Sequence, residues 1–269
     1  MTIIKDAAIE VSRVIKVFAE GTKKEFLALK EVNISIKSGE FVSVVGPSGC
    51  GKSTLMLMVA GLLERSSGDI RIGETLINSP YTDVGIAFQD HLLLEFRTAF
   101  DNVILQSEIR GLDKQKIQTR AEELFDQLRL TPAKSKYPRQ LSGGMKQRVS
   151  IARTLVHSPS VLMLDEPFGA LDALTRLEVR TDLEALWLEE RPTVLFITHS
   201  VEEAVGLSDR ILVMSPSPGE IVDDIRVDLP RPRPIVLGES PEFASYVDHI
   251  YGHFARMGVL HGFQPPVKQ

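Results

Sequence analysis

The chain has 269 residues, a quarter of them charged, a formal net charge of −5 and a single cysteine. Its longest apolar runs, such as Val161–Leu164 and Val194–Ile197, fall far short of the about 20 residues that a membrane-spanning helix takes. The acidic balance offers no basic footprint for nucleic acid, one thiol excludes an intrachain disulfide and suits a reducing cytosol, and Lys5 and Asp6 stand where a secretory signal needs an apolar core.

Before residue 46, apolar residues alternate with polar ones: Ala7, Ile9 and Val11 in one stretch, Val32, Ile34 and Ile36 in another. A period of two predicts half-exposed antiparallel strands. Phe41-Val-Ser-Val-Val45 is instead apolar apart from Ser43, the pattern of a buried strand, and it runs into Gly46-Pro-Ser-Gly-Cys-Gly-Lys52-Ser53. That segment fits G-x-x-x-x-G-K-[ST], a glycine turn whose backbone N–H groups wrap a polyphosphate and which opens into a helix near Gly51. The nucleoside triphosphate is expected on Gly46, Pro47, Ser48, Gly49, Cys50, Gly51, Lys52, Ser53 and Thr54. Lys52 would reach the β- and γ-phosphates, and the Ser53 hydroxyl would sit on Mg²⁺. Cys50 reads as a small filler with no catalytic duty, and Lys52 with the helix N-terminus is expected separately to favour its thiolate.

Ile70–Ile72 and Thr75–Ile77, split by Gly73-Glu74, predict a hairpin, and Val84–Phe88 a short buried strand. From Ala99 to Leu130 the pattern turns helical, with Leu124, Phe125 and Leu128 on one stripe. Two more apolar strands follow, Val161–Leu164 and Thr193–Thr198, each ending abruptly in polar residues. Strands alternating with helices predict a parallel sheet, whose ligand sits beyond the strands' carboxyl ends. Asp165, Glu166 and His199 occupy such ends. Asp165 can hold the Mg²⁺ shell, Glu166 can orient or deprotonate the attacking water, and His199 can contact the γ-phosphate.

Leu141-Ser-Gly-Gly-Met-Lys-Gln-Arg148 places Ser142 as the cap of a helix running from Gly144 through Ile151. With the phosphate loop and the strand-end acids, this octapeptide resembles the signature of the ATP-binding-cassette family over roughly residues 7 to 230. Gln89 resembles the family's Q-loop glutamine, Phe168-Gly-Ala-Leu-Asp172 its D-loop, and His199 its switch histidine. Phe18 resembles the aromatic that stacks on adenine, or is an ordinary core residue. The fold implied is α/β: a phosphate-loop cassette with a RecA-like parallel core, an N-terminal antiparallel β-subdomain and an inserted helical subdomain at about 90–150. The cassette would span 1–234, and 235–269 would form a short tail with one helix, Phe243 to Met257.

The resemblance implies ATP hydrolysis with Glu166, His199, Gln89 and Lys52 as catalytic residues. Ser53, Gln89 and Asp165 would serve Mg²⁺. It implies a head-to-tail dimer in which Ser142, Gly143 and Gly144 of one copy meet the γ-phosphate held by the other. Met145 departs from the usual Gln of the signature, with Gln147 two positions on. Leu229-Pro-Arg-Pro-Arg-Pro234, read from its prolines alone as an extended linker, resembles the importers for nitrate, taurine and aliphatic sulfonates, as does Leu92–Thr98 with Asp101-Asn102-Val103. Glu95-Phe96 departs from that subfamily's Pro-Trp. The chain is therefore expected to be the ATPase of an importer at the cytoplasmic face of the membrane, with permease subunits as partners and a substrate-binding protein as an indirect one. The alternatives are an exporter ATPase and a non-transport cassette. Lys52 and Ser142 lie too close in sequence for the long heptad insertions of repair cassettes.

Overall fold

A computed structural model describes residues 8–234 and 240–260. Ala7, Lys5, Asp6 and the tail segments 235–239 and 261–269 lie outside the described residues. In chain order the strands and helices are β1 (Ile9–Phe18), β2 (Phe26–Ile36), β3 (Phe41–Val45), α1 (Lys52–Val59), β4 (Ser67–Ile72), β5 (Thr75–Leu76), β6 (Val84–Ala87), α2 (Ala99–Arg110), α3 (Lys114–Gln127), α4 (Gly143–Leu155), β7 (Val161–Asp165), α5 (Ala173–Glu190), β8 (Thr193–Thr198), α6 (Val201–Leu207), β9 (Arg210–Met214), β10 (Ile221–Arg226) and α7 (Pro241–Arg256). They fall into two compact units, 1–82 with 192–269, and 83–191.

The first unit holds the antiparallel sheet β2-β1-β4-β5, with Ile9 opposite Ile36 and Val11 opposite Ile34. Alternating apolar residues bury one face here, as the period of two requires. Its other strands run β10-β9-β3-β8, with β3 parallel to both β8 and β9, and β10 antiparallel at the edge. Every residue of β3 and β8 is buried, which explains why these strands are largely apolar rather than alternating. Val45 pairs with Thr198, so the phosphate loop and His199 leave adjacent strands at the same end.

In the second unit β6 and β7 are parallel, with Ala87 opposite Leu164. Gln89 and the Asp165-Glu166 pair therefore also leave neighbouring strands at one end. The helical stretch from residue 99 to 130 holds two helices, α2 and α3. Gly111 closes α2 in the left-handed region at φ 63°, and Asp113 caps α3 through the Gln115 and Lys116 N–H groups. The signature helix starts one residue earlier than its glycine pattern suggests and runs four residues further, to Leu155.

The proline run after Leu229 is anchored rather than a loose linker. Arg231 pairs with Asp209 at 3.0 Å and also donates to the Leu207 carbonyl, while buried Arg233 donates to the Val205 carbonyl at 2.7 Å. Helix α7 packs beside α6, and its Phe243, Ile250 and Phe254 share one buried cluster with Val201, Ala204, Val205, Val45, Ile211 and Val213. Each such side chain contributes about 1.5–3 kcal/mol on full burial.

Candidate active site

The phosphate loop is shaped by glycines. Gly51 has φ 105°, and a Cβ there would lie 2.6 Å from Leu29 Cδ2; a Cβ on Gly46 would lie 2.9 Å from both Cys50 Sγ and the Met214 carbonyl oxygen. Gly51 is also the N-cap of α1 and supplies no side-chain acceptor to its first turn. A helix start leaves about four backbone N–H groups without an intrahelical partner, so this turn presents its donors and its positive dipole end together. Lys52 is buried and donates to the Gly46 and Pro47 carbonyls at 2.9 and 3.0 Å, which lays its ammonium over the loop. An ammonium carries three donors, and the third makes only a long 4.0 Å contact to Cys50 Sγ that a phosphate oxygen could replace. Ser53, next in the helix, is exposed.

The thiolate expected at Cys50 is overturned. The side chain is only 1% exposed, and burial pushes the thiol up against the opposing pull of Lys52, whose Nζ lies 4.0 Å from the sulfur. Phe18 is not a core residue: its ring is 37% exposed at the end of β1, with Lys16 Nζ 4.8 Å from the centroid.

His199 follows β8 in an exposed turn that its neighbours fix. Thr198 accepts from the Ser200 N–H at 3.0 Å and donates to Glu203 at 2.6 Å, and Ser200 caps α6. The histidine is thus presented by a tied turn.

In the second unit, Glu166 has φ 45°, an unusual conformation for a residue with a Cβ, which turns the chain sharply after Asp165. A Cβ on Gly169 would lie 3.9 Å from Gln89 Nε2 and 4.0 Å from Glu166 Oε2, so both side chains reach the same small space. The Glu166 carbonyl accepts from the Gly169 N–H at 3.1 Å, closing the turn that leads into the D-loop. Asp172 caps α5 through the Thr175 N–H; hydrogen bonds from the Thr175 side chain and backbone hold its carboxyl below the usual range.

Ser142 caps α4, accepting from the Met145 N–H at 3.3 Å. That contact uses the backbone of residue 145, so methionine there leaves the helix start intact. Gln147 is fully buried and does not replace the missing surface glutamine. A Cβ on Gly144 would lie 2.3 Å from Thr175 Cγ2, so the starts of α4 and α5 touch. Thr175 carried no sequence signal for this role.

Past Gln89, the loop to α2 is organised by one buried amide. Asn102 accepts from the Leu94 N–H at 2.7 Å and donates to the carbonyls of Leu94, Arg97 and Thr98. Arg153 donates to the His91 and Leu92 carbonyls, both at 2.7 Å. Leu92 and Phe96 stand out from this braced loop at 58% and 76% exposure.

Oxygen donors suit Mg²⁺, and the residues expected to serve it are a hydroxyl, a carboxylate and an amide oxygen, from Ser53, Asp165 and Gln89. No helix among the described residues is long and apolar enough to cross a membrane.

Residues 29–169 match the family model for ABC transporters. The chain is 42% identical over 240 residues to the nitrate import ATP-binding protein NrtD of Synechococcus elongatus, covering 86% of this chain and 87% of that protein. It is 41% identical over 218 residues to the aliphatic sulfonates import ATP-binding protein SsuB of Bacillus licheniformis, covering 81% and 84%. Among solved structures it resembles the dimeric, post-hydrolysis ATP-binding cassette MJ0796 bound to ADP and Pi, with a TM-score of 0.72 and 31% identity over 82% of this chain and 99% of that one.

Proposed function

The chain belongs to the ABC transporter family as its ATP-binding, energy-coupling ATPase, and from that premise we propose that it powers uptake of a small anion or organic molecule of the nitrate, sulfonate or taurine kind. The observation carrying import over export is its identity of 41–42% to two import ATPases across four-fifths of its length. Membrane permease subunits are the partners such an ATPase works on. In this reading the braced loop with Phe96 receives the permease, at the cytoplasmic face of the membrane, and a substrate-binding protein on the far side delivers the cargo.

The roles follow from the side chains. Lys52 and the backbone of Gly46–Thr54 bind the phosphates, and Phe18 stacks on the adenine. Ser53, Asp165 and Gln89 would hold Mg²⁺, which would supply positive charge to offset that of the phosphates. Glu166 orients the attacking water and takes its proton, and His199 steadies the γ-phosphate. Ser142, Gly143 and Gly144 act on the nucleotide of a second copy, in a two-fold head-to-tail dimer. The dimeric cassette MJ0796 supports this pairing by similarity.

The test is Glu166→Gln, assayed alone and in membranes with the permease. The variant should bind MgATP, migrate as an ATP-dependent dimer on gel filtration, and hydrolyse on the order of 10²-fold more slowly or worse, the scale of a lost general base. Wild type should drive ATP-dependent accumulation and the variant should not. Full turnover by the variant would remove Glu166 from its role, and accumulation in the export direction would overturn import.

A further inference from the structure

The last strand and the last helix meet at three side chains outside the nucleotide chemistry. Asp223 lies on β10, on the same inward face as Ile221 and Ile225. His249 and His253 lie on α7, four residues apart and so on one side of the helix, next to the Ile250–Phe254 stripe that packs into the core. Both histidine Nε2 atoms converge on a single oxygen, Asp223 Oδ2, at 2.8 and 2.7 Å. The other carboxylate oxygen, Oδ1, accepts from the Asp224 N–H at 2.9 Å, which fixes the carboxylate plane and aims Oδ2 at the helix. The two imidazoles stand edge to face, with centroids 5.1 Å apart.

A carboxylate on the inner face of an edge strand has a simpler use, since inward charge discourages edge-to-edge pairing. That use needs no histidine. Two histidines at helical spacing with their ring nitrogens on one carboxylate oxygen are instead the arrangement of a partial metal shell. One ligand atom from each of the three residues lies within 4.8 Å of the others. Metal–ligand bonds of about 2.0–2.1 Å in a tetrahedral shell set ligand atoms roughly 3.3 Å apart, so each imidazole would retreat from the oxygen by about half an ångström. His249 is half exposed, which leaves an approach for the ion and room for water as a fourth ligand.

We propose that Asp223, His249 and His253 form a binding site for a borderline divalent cation of the Zn²⁺ class, which fastens α7 to β10. Two imidazole nitrogens and one carboxylate oxygen suit Zn²⁺ and its neighbours and are poorly matched to Mg²⁺ or Ca²⁺, which take oxygen. The ion replaces the two hydrogen bonds with coordinate bonds between the same elements, so it reinforces contacts already present. The Asp224 N–H on Oδ1 acts as the outer support that orients a ligating carboxylate. Metal bound to the folded chain stabilises it by mass action.

The experiment titrates Zn²⁺ into tag-free, nucleotide-free full-length protein by calorimetry, with Co²⁺ absorption spectra as a second readout. Wild type should take one saturating equivalent, show the visible bands of low-coordinate Co²⁺, and unfold at a higher temperature with Zn²⁺ present. The His249→Gln/His253→Gln double variant should bind on the order of 10- to 100-fold more weakly or worse, given what even outer-shell changes cost. Asp223→Asn keeps the side-chain shape; should the double variant not fold, this variant, checked by circular dichroism, decides the matter. Absence of a saturable equivalent in wild type overturns the site. So does undiminished Zn²⁺ affinity in the folded variants.

Discussion

Helices α1 and α4 begin in different ways. α1 starts on Gly51 at φ 105° with no side chain closing its first turn, whereas α4 starts on Ser142, whose hydroxyl accepts the Met145 N–H. Both are helix starts with backbone donors at a positive dipole end. In the first the geometry is set by a residue without a Cβ; in the second it is set by a side chain that is itself exposed and can serve a ligand as well. The phosphate loop should therefore fail sharply when its backbone is altered. The signature helix should fail in two separable parts, one structural and one chemical.

The largest effect is expected at Gly51. An alanine there meets the left-handed backbone, costing about 1–3 kcal/mol in strain, and crowds Leu29, costing about 1–3 kcal/mol in overpacking. Gly51→Ala should lower stability in urea unfolding and weaken MgATP binding by more than about tenfold, the equivalent of 1.4 kcal/mol. Normal nucleotide affinity in this variant would mean that the loop does not depend on its glycine.

Ser142 sharpens the contrast. Ser142→Ala should cost about 0.5–2 kcal/mol of stability, the usual value of a helix cap. Ser142→Asn, an equally good cap, should restore that stability. Steady-state hydrolysis should stay depressed in the asparagine variant if the hydroxyl also meets phosphate across the dimer. Recovery of both together would leave Ser142 a cap only.

A pH-dependent effect lies at the far end of α4. His157 follows the helix, its Nε2 3.2 Å from the Val84 carbonyl, and burial, with Arg110 second, lowers its pKa to about 4 from an ordinary 6.5. Between those values the unfolded chain holds the proton and the folded chain does not. The stability tied to this group is therefore complete above about pH 6.5 and is lost as pH falls toward 4. Its slope stays below about 1.4 kcal/mol per pH unit, the limit for one proton. His157→Gln should flatten the acid limb of a urea-unfolding series; an unchanged limb would assign it to other groups.

Much of this was readable before the structure. The alternation in β1 and β2 and the mainly apolar runs of β3 and β8 follow from one-face and two-face burial. Helix α5 was not readable, because its buried face carries Arg180 and Glu184 among Val179, Leu183, Leu186 and Trp187, and those charges hide the apolar stripe. Cys50 misled because Lys52 is close in sequence, whereas the burial that dominates comes partly from Met214, which only the fold brings to the loop. The His249–His253 spacing was visible in the chain. Its meaning was not, since Asp223 comes from another element and joins them through the packing of α7 on β10.

Asn102 has a mechanical consequence. Its one amide holds carbonyls at Leu94, Arg97 and Thr98 as well as the Leu94 N–H, so the loop bearing Phe96 cannot bend without breaking several hydrogen bonds at once. Asn102 sits in the first turn of α2, and Thr98 is that helix's N-cap. A partner pressing on Phe96 would therefore push on α2 through these hydrogen bonds.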